Sequence, residues 1–307
     1  MTGNLESITA KICAFSRAQH SDKEGGVIFN DYLAYDMLGP EEYEQIGQMI
    51  EGRFSPYASR TRKKFDHSFV ARELRTYISP ITLPRAEFAE KSLREFMKRH
   101  EKAQYVICGA GMDTFSFRNN DKNLQIYELD HPNTQKYKLA QLKKLGWKIP
   151  DNVHYVSVDF SKDNMIKRLH DAGFDQNTPT FITILGVTYY LTLDVFEDTI
   201  RKFSMIAAPG SEIVFDYPDE HSFGLKQNSE RYLRLRQITT GLGEIMKQGF
   251  SLQEMNDVLK RNGFTIIDHL LPAQIQLLMA AGEEHDHVAY ENIHLLHAQK
   301  SKEQETN

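Results

Sequence analysis

The stretch Tyr105–Arg118, YVICGAGMDTFSFR, decides the fold of this chain. Its first residues form a short apolar run, which is typical of a strand buried on both faces. Gly109-Ala110-Gly111 ends this run, and two glycines let the backbone turn sharply and approach a ligand without a clash from Cβ. The stretch therefore predicts a strand followed by a ligand-binding turn.

An acid lies where such a unit would use one. Asp130 ends the next apolar run, LQIYELD, 19 residues beyond Gly111. A strand–turn–helix–strand unit places a carboxylate at this point to accept hydrogen bonds from ribose hydroxyls. The turn and the acid together predict a nucleotide-type cofactor.

The turn lacks the third glycine of the dinucleotide fingerprint, because Thr114 stands at that position. That glycine allows a helix to pack closely beside a pyrophosphate, and the charge of Asp113 would repel a pyrophosphate. S-Adenosylmethionine carries a sulfonium and no phosphate, so it fits this turn better than NAD. A helix-entry turn that binds no ligand is the alternative reading of the glycines alone.

Bulk composition favours a soluble protein with a substantial core. The 307 residues are 40% hydrophobic and carry a net charge of −5, with basic residues dispersed or in short clusters, which gives no footprint for nucleic acid. No apolar stretch approaches the roughly 18 residues of a membrane span, and the N-terminus lacks an apolar signal segment. We expect a cytoplasmic protein with a small-molecule partner and no membrane or nucleic-acid partner.

Cysteine and histidine give no sign of a metal site. Cys13 and Cys108 are the two cysteines, which suggests neither a disulfide framework nor a cysteine metal site. The histidines lack paired ligand spacing apart from His285 and His287, and we interpret that pair as part of a solvated loop.

Strand-like and helix-like segments alternate from about residue 100, as in a parallel sheet with crossover helices. Pro132 can begin the helix after the second strand and Gly146 can end it, while Ser251 and Glu254 form a capping box. The predicted strands are 104–108, 124–129, 153–158, 180–185, 211–216, 264–270 and 287–296.

We interpret the chain as one domain with two helical elaborations. Residues 1–100 lack strand alternation and are predicted to form a helical cap over the sheet's C-terminal edge. Residues 101–217 and 250–307 are predicted to form a Rossmann-like core. The polar, glycine-containing segment 218–249 is predicted to be a lid inserted into that core.

Five motifs, in order, carry a family resemblance: GAGMDTFSFR (109–118), YELDHPNTQKYK (127–138), VSVDF (156–160), LGVTYYLT (185–192) and PGSEIVFDY (209–217). Over about residues 50–300 the chain resembles class I S-adenosylmethionine-dependent methyltransferases. More narrowly it resembles the leucine carboxyl methyltransferase family, especially the bacterial branch related to the tetracenomycin polyketide carboxyl methyltransferase. The resemblance implies an α/β fold with a seven-stranded, mostly parallel sheet in the order 3-2-1-4-5-7-6, the last strand antiparallel.

The resemblance also implies cofactor contacts after the first three strands. Gly109 and Gly111 would lie against the methionine portion of S-adenosylmethionine, and Asp130 would hold the ribose. Asp159 would accept a hydrogen bond from the adenine amino group, with Phe160 beside the base. Asp159 could instead be an acid at a helix N-terminus, and Phe160 could be a core residue.

Two further cofactor positions follow from the resemblance. Arg60 matches a segment in which an arginine pairs with the methionine carboxylate, with Arg62 as the neighbouring alternative and a solvated basic face as the other reading. Leu185 is placed among the cofactor contacts. It stands where leucine carboxyl methyltransferases proper have glutamate, and the Leu-Gly-Val of this chain matches the tetracenomycin-like branch, which favours a small-molecule substrate.

The sequence therefore predicts O-methylation of a small-molecule carboxylate. A carboxylate is ionised at pH 7 and needs no general base, whereas a phenol or alcohol on a polyketide-like substrate would need one. Tyr189 and Tyr190 either position the acceptor oxygen or pack, and the same holds for Asp216 and Tyr217. No catalytic base is evident. A nicotinamide oxidoreductase and a cofactor-binding protein without turnover are the rival classes.

Overall fold

A single sheet of seven strands organises the computed structural model, which describes residues 7–54, 64–160, 162–223, 230–280 and 287–301. The strand order is β3-β2-β1-β4-β5-β7-β6, as predicted. Strands β1 to β5 pair in parallel, and β7 runs antiparallel to both β5 and β6. The strands are β1 (Ala103–Cys108), β2 (Leu124–Asp130), β3 (Val153–Ser157), β4 (Thr180–Ile184), β5 (Glu212–Pro218), β6 (Phe264–Leu270) and β7 (Ile293–Lys300).

Helices cover both faces of this sheet, which explains why every residue of β1, β4 and β5 is buried. Apolar side chains of the helices Met165–Asp171, Leu193–Ile206 and Leu252–Arg261 pack on one face, and those of the helices Ser79–Met97 and Pro272–Met279 pack on the other. The helices are α1 (Ile8–Lys23), α2 (Ala34–Leu38), α3 (Pro40–Phe54), α4 (His67–Tyr77), α5 (Ser79–Met97), α6 (Phe115–Arg118), α7 (Pro132–Leu145), α8 (Met165–Asp171), α9 (Leu193–Ile206), α10 (Glu230–Gly241), α11 (Leu252–Arg261) and α12 (Pro272–Met279).

Local sequence signals set several helix ends. Pro132 is the first residue of α7, where its missing N–H costs nothing, and Gly146 ends the helix at φ 68°. Ser251 and Glu254 form the capping box of α11 in both directions. These ends confirm the predicted starts and stops.

The two segments outside the alternating pattern are largely helical where the structure describes them. Residues 8–97 contain α1 to α5, and α1 packs against α2 and α5. Segment 218–249 contains a short 3-10 helix, Glu220–Phe223, and α10. None of the described helices is long and apolar enough to cross a bilayer.

The last strand was predicted in the wrong place, since β7 begins at Ile293 rather than at residue 287. In the segment before Ile293, backbone groups form hydrogen bonds with side chains instead of with a neighbouring strand. Arg231 donates to the carbonyl oxygens of Val288 and Ala289, and the Ala289 N–H donates to Gln276 Oε1 at 2.8 Å. Burial along residues 287–292 resembles that of a strand, but none of the described strands pairs with them. Helix α12 was also not predicted.

Candidate functional site

The glycine turn adopts a backbone that only glycine accepts easily. Gly109 and Gly111 have φ of +69° and +52°. A Cβ on Gly109 would lie 2.8 Å from Val187 Cγ2, and one on Gly111 would lie 2.9 Å from the Cβ of Ala10. The turn is thus enclosed by the segment after β4 and by α1, and the contact with α1 was not foreseen from the sequence.

Asp130 holds this turn. Its carboxylate accepts hydrogen bonds from the backbone N–H of Gly111 and, at 2.6 Å, from that of His131. Burial raises the pKa of Asp130, while these two hydrogen bonds oppose the rise. Each oxygen keeps a second lone pair, so the carboxylate can still accept ribose hydroxyls. The geometry fits the predicted role.

A second acid, Asp159, lies close to His131, the residue that follows Asp130. The Nε2 atom of His131 is 3.9 Å from Asp159 Oδ2, and Lys162 Nζ is 3.2 Å from the same oxygen. Phe160 is 41% exposed, so it is not a core residue. The helix that follows is capped by Asn164 rather than by Asp159. An exposed aromatic ring beside a carboxylate is suited to binding an adenine. His131 is a further candidate cofactor-binding residue, and it was not predicted from the sequence.

Asp216 organises the segment after β4. Its Oδ1 accepts from the backbone N–H of Gly186 at 2.6 Å, and its Oδ2 accepts from the Tyr189 hydroxyl at 2.9 Å. Arg85 on α5 donates to Oδ2 at 3.1 Å. Burial disfavours a charged guanidinium, but the adjacent Asp216 more than offsets this and raises the pKa of Arg85. Sequence reasoning missed Arg85, because nothing local marks it.

Other predicted residues separate into two groups. Leu185 and Tyr190 lie with Tyr189 in the half-buried segment after β4. Tyr217 is fully buried, and its hydroxyl lies 3.1 Å from Nε2 of His269 on β6. Because side chains alternate along a strand, Tyr217 faces away from Asp216 and packs in the core on the opposite face of the sheet.

A cavity opens beside Gly186, Tyr189 and Tyr190, between α1, α5 and α10. Its empty volume is about 530 Å³, including space open to solvent. Burial and the charge of Glu244 raise the pKa of Tyr190 well above its usual value, so the hydroxyl stays protonated and can donate. Arg85 is the cationic side chain among the described residues of the lining. Arg60 and Arg62 lie outside the described residues.

A buried ion-pair network attaches the N-terminal helices to the glycine turn. Asp31, 1% exposed, pairs with Arg17 Nε at 2.8 Å and with Arg118 Nε at 3.3 Å, and it accepts from the Thr114 hydroxyl. Arg17 also donates to the Met112 carbonyl at 2.8 Å. The conformation of the turn is therefore coupled to the position of α1.

His287 is buried, which corrects its interpretation as part of a solvated loop; His285 lies outside the described residues. With His20 and Glu24 it forms a group whose spacing could admit a metal ion. However, His20 Nε2 accepts from the Ile28 N–H at 3.1 Å, which leaves the proton on Nδ1 facing Glu24 at 2.6 Å. Arg75 adds a positive charge 3.1 Å from the same carboxylate. We therefore assign a hydrogen-bonded cluster rather than a metal site.

Comparisons with known proteins identify the family. A family model described as leucine carboxyl methyltransferase matches residues 10–204. A Bacillus subtilis (strain 168) protein named "Putative S-adenosyl-L-methionine-dependent methyltransferase YktD" is 36% identical over 305 residues, which cover 98% of this chain and 100% of that protein. A Mycobacterium tuberculosis (strain CDC 1551 / Oshkosh) protein named "Putative S-adenosyl-L-methionine-dependent methyltransferase MT0153" is 30% identical over 135 residues, covering 44% of this chain and 42% of that protein.

Solved structures share the fold at low sequence identity. A DUF574 family protein from Streptomyces avermitilis superposes with a TM-score of 0.55 and 10% identity, covering 83% of this chain and 96% of that one. A structure from Thermobifida fusca titled as a "putative methyltransferase" gives a TM-score of 0.54 and 13% identity, covering 84% and 95%. These likenesses concern the fold alone.

Proposed function

Because the chain belongs to the leucine carboxyl methyltransferase family and is an S-adenosylmethionine-dependent methyltransferase, we propose that it methylates the carboxylate of a small molecule. The observation that carries the proposal is the lining of the cavity beside Gly186. Among the described residues, that lining contains no aspartate, glutamate, histidine or lysine that could accept a proton. A carboxylate is the oxygen acceptor that needs none.

The cofactor would be held by residues that the structure brings to one edge of the sheet. Asp130 would accept hydrogen bonds from the ribose, Asp159 and Phe160 would contact the adenine, and the absence of Cβ at Gly109 and Gly111 would let the backbone approach the methionine portion. When bound, S-adenosylmethionine supplies a methyl group on a sulfonium, and an acceptor oxygen aligned with it can displace the sulfur. The enzyme's own task is alignment and exclusion of water.

Arg85 is our candidate partner for the methionine carboxylate. A Cβ on Gly186 would lie 2.7 Å from both Nη1 and Nη2 of Arg85, so the guanidinium lies directly against the segment after β4. Asp216 fixes one side of the fork, which leaves other N–H groups for a second carboxylate. This assignment competes with that of Arg60 or Arg62. Leu185, next to Gly186, remains a proposed cofactor contact.

We propose that the Tyr190 hydroxyl donates a hydrogen bond to the acceptor oxygen of the substrate. We also propose that residues 1–100 form a cap over the site, that residues 218–249 form a lid, and that the protein is cytoplasmic. A hydroxyl acceptor is the second candidate. It is favoured by Glu244, whose charge acts on Tyr190 and whose Oε1 accepts from the Ser7 hydroxyl at 2.8 Å. In that case Glu244 would act as the base.

The product tests the proposal. The enzyme is incubated with methyl-labelled S-adenosylmethionine and parallel sets of carboxylic acids and phenols. Methyl esters hydrolyse in mild alkali and release volatile methanol, whereas aryl methyl ethers do not. We expect volatile label after alkali from the carboxylic acids. An alkali-stable product would overturn the carboxylate assignment and leave the methyltransferase assignment intact.

A further inference from the structure

The cavity beside Gly186 differs in chemistry between its two ends. At the sheet end lie Arg85, Tyr189 and Tyr190. The Tyr189 hydroxyl already donates to Asp216, so the guanidinium and the Tyr190 phenol are the donors that face a ligand. Most of the rest of the lining is apolar, including Ile12 on α1, Ile81 on α5, and Leu235 and Ile238 on α10, and its polar members are the uncharged Thr9, Cys13, Thr82 and Thr239. The cavity is thus mainly apolar with one polar end, and we refer to this space as the slot.

From this lining we propose that the substrate is a monocarboxylic acid with an aliphatic chain, with its carboxylate beside the Tyr190 hydroxyl at the sheet end and its chain between α1 and α10. The inference rests on the proposed function, and it names the substrate class for the same site. A second charge on the substrate would meet no further charged side chain in the described lining, only apolar groups and a few uncharged polar ones, which is unfavourable. We therefore expect dicarboxylic and amino acids to bind poorly.

The length of the substrate's aliphatic chain tests this arrangement. Each buried methylene contributes about 0.8 kcal/mol, or roughly fourfold in affinity. The dissociation constants of butanoate, hexanoate and octanoate should therefore fall by roughly the square of that factor at each step until the slot is full. Binding is measured by calorimetry on the full chain saturated with S-adenosylhomocysteine, so that it does not depend on turnover.

A substitution on α10 tests where the aliphatic chain of the substrate binds. Ile238 is 8% exposed and lines the cavity, whereas Leu233 on the same helix is 43% exposed and does not. We expect Ile238→Phe to shorten the preferred chain and to weaken octanoate binding at least tenfold relative to butanoate. Leu233→Phe, the matched control, should leave the chain-length profile unchanged. Both variants should keep the wild-type affinity for S-adenosylhomocysteine, which checks that the fold is intact.

The outcomes separate this inference from the proposed function. Affinity that is independent of chain length, hexanedioate binding as tightly as hexanoate, or an equal effect of both variants would overturn the aliphatic-acid inference. Chain-length-dependent binding of acids that are never methylated, with alkali-stable methylation of alkyl phenols instead, would overturn the carboxylate proposal. In that second case the aliphatic slot stands, but the acid end of the substrate assignment fails.

Discussion

The Nη1 atom of Arg85 on α5 lies 3.1 Å from Oδ2 of Asp216 at the end of β5. Asp216 is fully buried and Arg85 nearly so, and the same carboxylate accepts from Gly186 and Tyr189. One acid therefore fixes a cation, a backbone turn and a phenol at the sheet end of the cavity. A buried pair of this kind is strongly destabilising to break, because the remaining charge is left without compensation.

Replacing Arg85 by lysine should weaken binding of S-adenosylhomocysteine at least tenfold. Lysine keeps the charge but loses the planar fork that can hold Asp216 and a second carboxylate together. Calorimetry measures the affinity, and circular dichroism checks the fold. Arg94→Lys, on the exposed face of the same helix, should have no effect. If Arg60→Lys or Arg62→Lys weakens binding and Arg85→Lys does not, the methionine carboxylate belongs to the earlier segment.

Asp130→Asn should weaken S-adenosylhomocysteine binding by more than tenfold. A hydrogen bond to a charged group contributes about 1.5–3 kcal/mol, and an amide NH₂ would also face the backbone N–H of Gly111 or His131. Asp151→Asn, an exposed acid before β3, is the control. Wild-type affinity in Asp130→Asn would remove the ribose assignment.

Gly111 can be tested for two roles separately. A methyl group on Gly111 would collide with the Cβ of Ala10 as well as obstruct a ligand, so Gly111→Ala should lower both the free energy of unfolding and the cofactor affinity. Adding Ala10→Gly removes the collision with α1. We expect the double variant to regain part of the stability in urea unfolding while binding stays weak. Recovery of both would show that the glycine serves packing only.

The sequence predicted what local pattern determines. Gly109, Gly111 and Asp130 mark a turn and a strand end, and their spacing along the chain is the spacing of the fold unit. The capping box at Ser251 is likewise local. Such features depend on a few consecutive residues, so they can be recognised without knowing what packs on them.

The sequence could not predict what depends on distant segments. Arg85 reaches Asp216 across 131 positions in the chain, and Ala10 meets Gly111 only because α1 folds onto the turn. The start of β7 was missed for the same reason, since Arg231 and Gln276 replace a neighbouring strand. A hydrophobic pattern in the sequence indicates which residues are buried. It does not indicate whether they are buried against a helix, against a loop or within a sheet.

Asp31→Asn should destabilise the protein at neutral pH by about 3–5 kcal/mol, because Arg17 then loses its buried counter-charge. Burial raises the pKa of Asp31, but Arg17 and Arg118 outweigh it and hold the pKa below its usual value. The stabilisation is thus complete above the ordinary pKa of about 3.9 and is lost as the pH falls through the lower folded value.

Urea unfolding at a series of pH values measures this contribution. The difference between wild type and Asp31→Asn should be largest near neutrality and should shrink in acid below about pH 4. Asp36→Asn, an exposed acid on α2, should track the wild type throughout. A difference that stays constant in acid would mean that Asp31 acts through packing and not through its charge.

The pH dependence of turnover distinguishes a carboxylate acceptor from a hydroxyl. A carboxylic acid is ionised well below neutrality, so the rate of the chemical step should be nearly flat from about pH 6 to 8. Glu244→Gln should leave that pH profile unchanged, because no proton has to be removed from the acceptor. Glu41→Gln is the control, since the Glu41 side chain is 81% exposed. A rising limb for the wild type that is lost in Glu244→Gln would instead favour a hydroxyl acceptor whose proton is removed with the help of Glu244.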